Sequence, residues 1–254
     1  MDLCLDYKLI QDIHPEKFTE IDGLDLLPDL KVFSATMHAI GSVDGLKAAP
    51  QLLELDLSLN EISDLSVLEW LVQIQRLRLS HNEINSLDGI ALPHSLRELD
   101  FGFNQLSDIL PLSQLTELEI LILNGNRGLA ELTGLPSSLR ELHVTQAFVS
   151  NWDALEGLQH LRNLSISPGS MRGLHFLSHL PALATLKISA GRLHGHIHLP
   201  ELPLVQTLRI HKAIQVTEFS GFSANRQLKH LDIGNCLIES PPDLMGCDLL
   251  ETLE

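Results

Sequence analysis

The chain has 254 residues, 44% of them hydrophobic and 4% aromatic, with 33 acidic against 17 basic residues and a formal net charge of -16. That balance argues against a general affinity for nucleic acid or anionic membrane and leaves plain solubility or a basic partner. The charge is uneven: residues 1–127 hold 21 Asp and Glu against 8 Lys and Arg, net -13, whereas 128–254 hold 12 against 9, net -3. The opening Met1-Asp2-Leu3-Cys4-Leu5-Asp6 is acidic where a secretory leader is basic, and no long apolar run follows, so the expected location is cytoplasmic. Cys4, Cys236 and Cys247 are too scattered for disulfide staples and lack the C-x-x-C spacing of zinc sites.

A degenerate first unit is expected on Leu3, Leu5, Ile10 and Ile13, followed by a long crossing from His14 to Asp29 that should contain a helical turn. Residues 1–29 thus read as a degenerate repeat and N-terminal cap. From residue 30 the spacing L-x-x-L-x-L-x-x-N-x-I returns about every 22 residues. Leu30, Phe33 and Ala35 lead to His38 in the asparagine slot. Leu52, Leu55 and Leu57 lead to Asn60, Ile74, Leu77 and Leu79 to Asn82, Leu96, Leu99 and Phe101 to Asn104, and Leu118, Leu121 and Leu123 to Asn126. The apolar skeleton continues through Leu139-Leu142-Val144, Leu161-Leu164-Ile166, Leu183-Leu186-Ile188, Val205-Leu208-Ile210 and Leu228-Leu231-Ile233, while the slot changes to Ala147, Gly169, Gly191, Ala213 and Cys236. About ten repeats therefore span 30–254. Leu250-Glu251-Thr252-Leu253-Glu254 opens a further one, and without a polar cap this edge is expected to be covered by more chain, a partner or a second copy.

In this pattern the L-x-L pair forms a short strand, and consecutive strands pair in parallel about 4.8 Å apart. The asparagine sits where the chain leaves the sheet, with its amide on backbone groups that would otherwise be buried unpaired. Losing it costs about 1–3 kcal/mol, so the second half is expected to close its turns differently or with water. The units resemble the short 22-residue class of cytosolic leucine-rich repeat proteins from Leu30 to Leu253. Leu92-Pro93-His94-Ser95-Leu96 and Leu135-Pro136-Ser137-Ser138-Leu139 also resemble the L-P-x-S-L phrase of bacterial leucine-rich repeat effectors. The resemblance implies an α/β right-handed solenoid, or horseshoe, with a parallel concave β-sheet and short helical or irregular convex segments. It also implies protein recognition on the concave face.

The third position of successive repeats reads Val32, Glu54, Arg76, Glu98, Ile120, Glu141 and the fifth reads Ser34, Asp56, Arg78, Asp100, Ile122, His143. Two charge ladders are expected, Glu54-Arg76-Glu98 and Asp56-Arg78-Asp100, stacked across neighbouring strands. Ile120 and Ile122 stand outward beside them, with Met37, Leu59 and Phe103 on the adjoining rim. Apolar residues among oriented charges have the composition of an interface centre with a polar surround. The opposing reading is a self-neutralised surface in which each exposed pair contributes at most about 1 kcal/mol.

His194, His196 and His198 alternate on an extended segment, but no carboxylate or cysteine lies beside them in sequence, and a solvated convex stretch is the expectation. No phosphate loop, H-E-x-x-H or G-x-S-x-G occurs, so neither catalysis nor a cofactor is expected. The reading is a non-catalytic module binding a protein partner, one of basic charge, on the concave face from Glu54 to His143, with no nucleic acid, no membrane, and self-association through the C-terminal edge as a further contact. Two narrower alternatives are a bacterial immunity-type protein neutralising a toxin, and a secreted effector or regulatory-subunit fragment.

Overall fold

The computed structural model describes residues 1–6, 16–168, 173–190 and 193–254. Ile10, Ile13 and His14 of the expected first unit, and Gly169 and Gly191 of the asparagine slot, lie outside the described residues. The chain divides into two compact units, Met1–Gly128 and Leu129–Glu254.

In the first unit the L-x-L pairs become β1 (Asp2–Cys4), β2 (Val32–Ser34), β3 (Glu54–Asp56), β4 (Arg76–Arg78), β5 (Glu98–Asp100) and β6 (Ile120–Ile122). All pair in parallel in chain order. Each strand is three residues long, and in β2 to β6 its central residue, such as Leu55, Leu77, Leu99 or Leu121, is buried while its neighbours face outward. Burying an aliphatic side chain of this size stabilises the fold by about 1.5–3 kcal/mol.

The slot residue joins neighbouring rungs. Asn82 Oδ1 accepts the Ile62 N–H at 2.9 Å, and its Nδ2 donates to the carbonyls of Leu57 and Leu79, each at 3.0 Å. Asn60, Asn104 and Asn126 repeat the arrangement. His38 reproduces it with a ring: Nδ1 accepts the Phe18 N–H at 3.2 Å, and Nε2 meets the Leu5 carbonyl. Most convex returns carry a short 3-10 helix, Leu24–Leu26, Asp44–Ala48, Ser66–Trp70 and Leu110–Gln114, whereas the return from β4 to β5 has turns alone. Among the described residues none is α-helical, because a helical segment of five residues or fewer suits the tighter three-residue turn.

The second unit holds β7 (Glu141–Val144), β8 (Asn163–Ile166), β9 (Thr185–Ser189), β10 (His194–His198), β11 (Thr207–His211), β12 (Gln215–Ser220), β13 (His230–Asp232) and β14 (Thr252–Leu253). The main sheet runs β7-β8-β9-β11-β13-β14, all parallel. β10 and β12 form a separate parallel pair, with a register shift between Gly195 and His196. Here the slot lacks asparagine, and the turn closes another way. β9 and β11 lengthen to five residues and pair through Ser189 and His211, and the Leu193 N–H, the counterpart of the Ile62 N–H that Asn82 takes, turns back to the Ala190 carbonyl at 3.0 Å. Cys236 Sγ makes weak contacts to the carbonyls of Ile210 at 3.4 Å and Gly234 at 3.6 Å. An unforeseen amide, Asn225, accepts the Leu202 N–H at 2.8 Å and donates to the Gly221 carbonyl at 2.8 Å.

Asn82→Ala should cost about 1–3 kcal/mol and lower the urea midpoint, because it strands buried backbone groups. Cys236→Ala, which removes only weak thiol contacts, should cost less. Equal losses in the two denaturation curves would show that the amide does not tie the repeats together.

Candidate functional site

Strand register places the outward residues in rows. Val32, Glu54, Arg76, Glu98 and Ile120 are successive cross-strand neighbours, and so are Ser34, Asp56, Arg78, Asp100 and Ile122. Ile120 and Ile122 are half-buried and flank the buried Leu121, so both belong to the outward face.

The first expected ladder forms as read. Arg76 Nη1 bonds Glu54 Oε1, and its Nε lies 3.6 Å from Glu98 Oε2. The second ladder has the expected positions but different bonds. Arg78 turns diagonally to Glu98 Oε1, with Nη2 at 2.6 Å and Nε at 3.0 Å. Asp56 Oδ1 accepts the Ser58 N–H at 3.0 Å and Asp100 Oδ1 the Gly102 N–H at 2.7 Å. The cause is reach: an aspartate is short enough to cap the turn two residues on, whereas the long guanidinium finds the glutamate.

Burial opposes the charge on Arg78, but the bond and charge of Glu98 outweigh it and hold the guanidinium above its ordinary range. Burial pushes the Asp100 carboxyl up, and the like charges of Asp56 and Glu98 add to it, against the Gly102 N–H and Arg78. The six side chains carry four carboxylates and two guanidinium groups, so the patch is net acidic.

The rim has a geometry that spacing alone did not reveal. The residue preceding each slot is left-handed: Met37 at φ 65°, Leu59 at 62°, His81 at 56°, Phe103 at 53° and Gly125 at 76°. Their position is held by the ladder, since the N–H of Leu59 bonds the Ser80 carbonyl and that of His81 the Gly102 carbonyl, both at 2.8 Å. A non-glycine residue in this region costs about 1–3 kcal/mol. His81 stacks on Phe103 with ring centroids 4.3 Å apart and planes 7° from parallel. The Phe103 ring in turn covers Gly125, where an added Cβ would lie 2.5 Å from Cδ1. Between this rim and the aspartate row run the small residues Ser58, Ser80 and Gly102. The outward face is therefore a shallow trough, walled by charge on one side and by Leu59, His81 and Phe103 on the other. His81 was missed by sequence reasoning, and the Gly125-Asn126 pair was the available signal for a left-handed residue there.

His143 lies on β7 in the second unit, its Nε2 2.6 Å from Glu141 Oε1, while Glu141 Oε2 accepts Asn163 Nδ2 at 2.9 Å. Burial works against ionisation of Glu141, but the bonds from His143 and Asn163 prevail and hold it below the usual carboxylate range. His194, His196 and His198 are exposed on β10, so the extended, solvated segment expected there is also a paired strand, because β12 lies alongside it. His196 Nε2 and His198 Nδ1 converge on Ser220 Oγ at 2.7 and 3.0 Å. Among the described residues no group of three or more His, Cys, Asp or Glu is placed to hold a metal ion, and no helix is long and apolar enough to cross a membrane.

Family profiles described as "Leucine Rich repeats (2 copies)" and "Leucine Rich repeat" match residues 94–137 and 50–68. The chain is built from leucine-rich repeats. Similar solved structures include an internalin (inlF) from Listeria monocytogenes, at 23% identity and TM-score 0.65, with 81% of this chain and 67% of that one covered. The functional domain of InlJ from Listeria monocytogenes matches at 25% identity and TM-score 0.64 over 83% of this chain, and TLR13 in its complex with ssRNA13 at 21% and 0.69 over 99%. The chain spans less than half of those two, 45% and 44% respectively. No curated protein sequence gives a significant match. These likenesses carry the leucine-rich repeat fold.

The raised Asp100 pKa has a stability consequence. A carboxyl more easily protonated folded than unfolded favours folding at low pH, and that contribution is lost as pH rises through its folded pKa. Asp100→Asn, which keeps an acceptor for the Gly102 N–H, should therefore raise the thermal midpoint at neutral pH, with the gain shrinking below the carboxylate range. A gain independent of pH in calorimetry would count against a charged Asp100 as its source.

Proposed function

We propose that this leucine-rich repeat protein is a non-catalytic recognition module that grips a basic protein partner on the outward face and rim of Met1–Gly128. The observation that carries the reading is the juxtaposition of Ile120, Ile122 and Phe103 with the half-buried Asp56 and Asp100 carboxylates, which bond turn N–H groups rather than the neighbouring guanidinium groups. A surface built for solubility alone has no reason to hold Leu59, His81 and Phe103 in left-handed conformations that glycine adopts at less cost. An apolar ridge beside oriented charge matches the anatomy of an interface core and rim.

Each charged row has a role. Glu54, Arg76, Arg78 and Glu98 form a pre-ordered network that spends little further side-chain entropy on binding, while Asp56 and Asp100 present the negative charge. An arginine or lysine entering the trough would meet Asp100 on one wall and lay its aliphatic stem against the exposed edge of the Phe103 ring on the other, combining a charge pair with an apolar contact. His143 belongs to the second unit, where Glu141 orients its ring, and is not needed for the contact proposed on the first. A cytoplasmic setting belongs to the same proposal, and the acidity of both units argues against nucleic acid as the partner.

The test is affinity capture with the full chain from its native cell, followed by titration of the captured protein. Asp56→Lys with Asp100→Lys should weaken binding by about tenfold or more, the equivalent of roughly 1.4 kcal/mol, and flatten its dependence on salt. Phe103→Ala should weaken it without changing the salt slope. Unchanged affinity and slope in both variants would remove the proposal.

A further inference from the structure

The main sheet of the second unit carries a different surface. β9 and β11 pair Thr185 with Thr207, Lys187 with Arg209, and Ser189 with His211. In both strands the alternating Leu and Ile are buried, so these six side chains share the outward face. All six can donate hydrogen bonds and none is an acid. Lys187 and Arg209 are exposed, directly opposed across a parallel pair, and have no ion-pair or hydrogen-bond partner among the described residues. The hydroxyls of Thr185, Thr207 and Ser189 have none there either. Like charges placed opposite each other across a sheet destabilise it, so this pair costs free energy unless an anion sits over it.

The acids nearest in the fold are engaged. Asp232 faces Arg209 in register, but its Oδ2 lies 3.0 Å from His211 Nε2 and its Oδ1 accepts the Gly234 N–H at 3.0 Å. The Lys187 charge lowers the Glu141 pKa from a distance, but that carboxylate bonds His143 and Asn163. Two adjacent cations ringed by hydroxyl donors match a dianion with several acceptor oxygens better than a single carboxylate, which one arginine satisfies.

We propose that Lys187 and Arg209, with Thr185 and Thr207, form a subsite for one phosphate monoester on a polypeptide, a phosphoserine or phosphothreonine side chain. The sheet face is open, so free phosphate binds it weakly and a phosphate tethered to a chain that contacts more of the surface binds it more tightly. A nucleic acid strand fits poorly, because only two cations are gathered and the unit is net -3. This inference stands apart from the reading of the first unit and does not depend on it.

The experiment uses the full chain, isotopically labelled and followed by amide chemical shifts, with three probes: inorganic phosphate, a phosphothreonine peptide with its unphosphorylated counterpart, and a short single-stranded oligonucleotide. Phosphate should move the resonances of β9 and β11, and the phosphopeptide should do so at least about tenfold more tightly than its unphosphorylated form. Lys187→Met and Arg209→Met should each weaken that response about tenfold or more. In anion-free buffer each should melt at or above the parent temperature, because it relieves the repulsion. Phosphate should raise the melting temperature of the parent and not of the double variant. Shifts that survive the double substitution, no response to phosphate, or tighter binding of the oligonucleotide than of the phosphopeptide would each overturn the proposal.

Discussion

The amide of a single asparagine, placed between successive strands, is the interaction on which the first unit depends. Asn82 takes one backbone N–H and gives two bonds to carbonyls, tying its own turn to the rung before it, and Asn60, Asn104 and Asn126 do the same at constant spacing. A buried backbone group without a partner costs about 1–3 kcal/mol, so each repeat must solve this problem or stop. The leucines supply the larger burial, but leucine contacts are non-directional. It is the amide that fixes where each chain leaves the sheet, and hence which side chains line up across strands. The Glu54-Arg76-Glu98 row is a consequence of that register.

The same need is met by other chemistry where the amide is absent. His38 supplies the donor and acceptor with two ring nitrogens, although an imidazole is larger and must stack on Phe18, 4.6 Å away, to fit. In the second unit the Leu193 N–H turns back to the Ala190 carbonyl, which satisfies it without any side chain. Ser189 and His211 hold the outward places that Ser58, Ser80 and Gly102 hold in the first unit, and in the five-residue strands they pair in register beside Lys187 and Arg209.

The periodicity made the positions legible and left the bonds illegible. Each paired third- and fifth-position residue lies beside the neighbour that spacing assigned, because a one-residue slip would turn the buried Leu77 or Leu99 into solvent. Yet Arg78 bonds Glu98 rather than Asp56 or Asp100, since spacing carries no information about side-chain length or about the turn N–H that an aspartate can reach. The left-handed rim was equally hidden. Leu59, His81 and Phe103 are residues whose local preference opposes that conformation, and only the surrounding hydrogen-bond ladder imposes it. The β10–β12 pair escaped because His194 to His198 has polar alternation without an apolar stripe to mark it as a strand.

With the inward positions committed to leucine and the turns to hydrogen bonding, the outward positions are where sequence is free to vary without breaking the fold. The two units use that freedom in opposite ways. In the first, opposite charges are neighbours and satisfy one another, so the residual charge falls on Asp56 and Asp100, whose short side chains stay near the sheet. In the second, Lys187 and Arg209 are neighbours of the same sign, and parallel register leaves neither able to move away without a rotamer change along its own stem. A self-neutralised row can be explained by stability alone. An opposed like-charge pair cannot, because every exchange of one cation for a neutral residue would relieve it. Asp232, in register with Arg209, offsets one of the two charges, and the proposed phosphate monoester would bring what the other lacks.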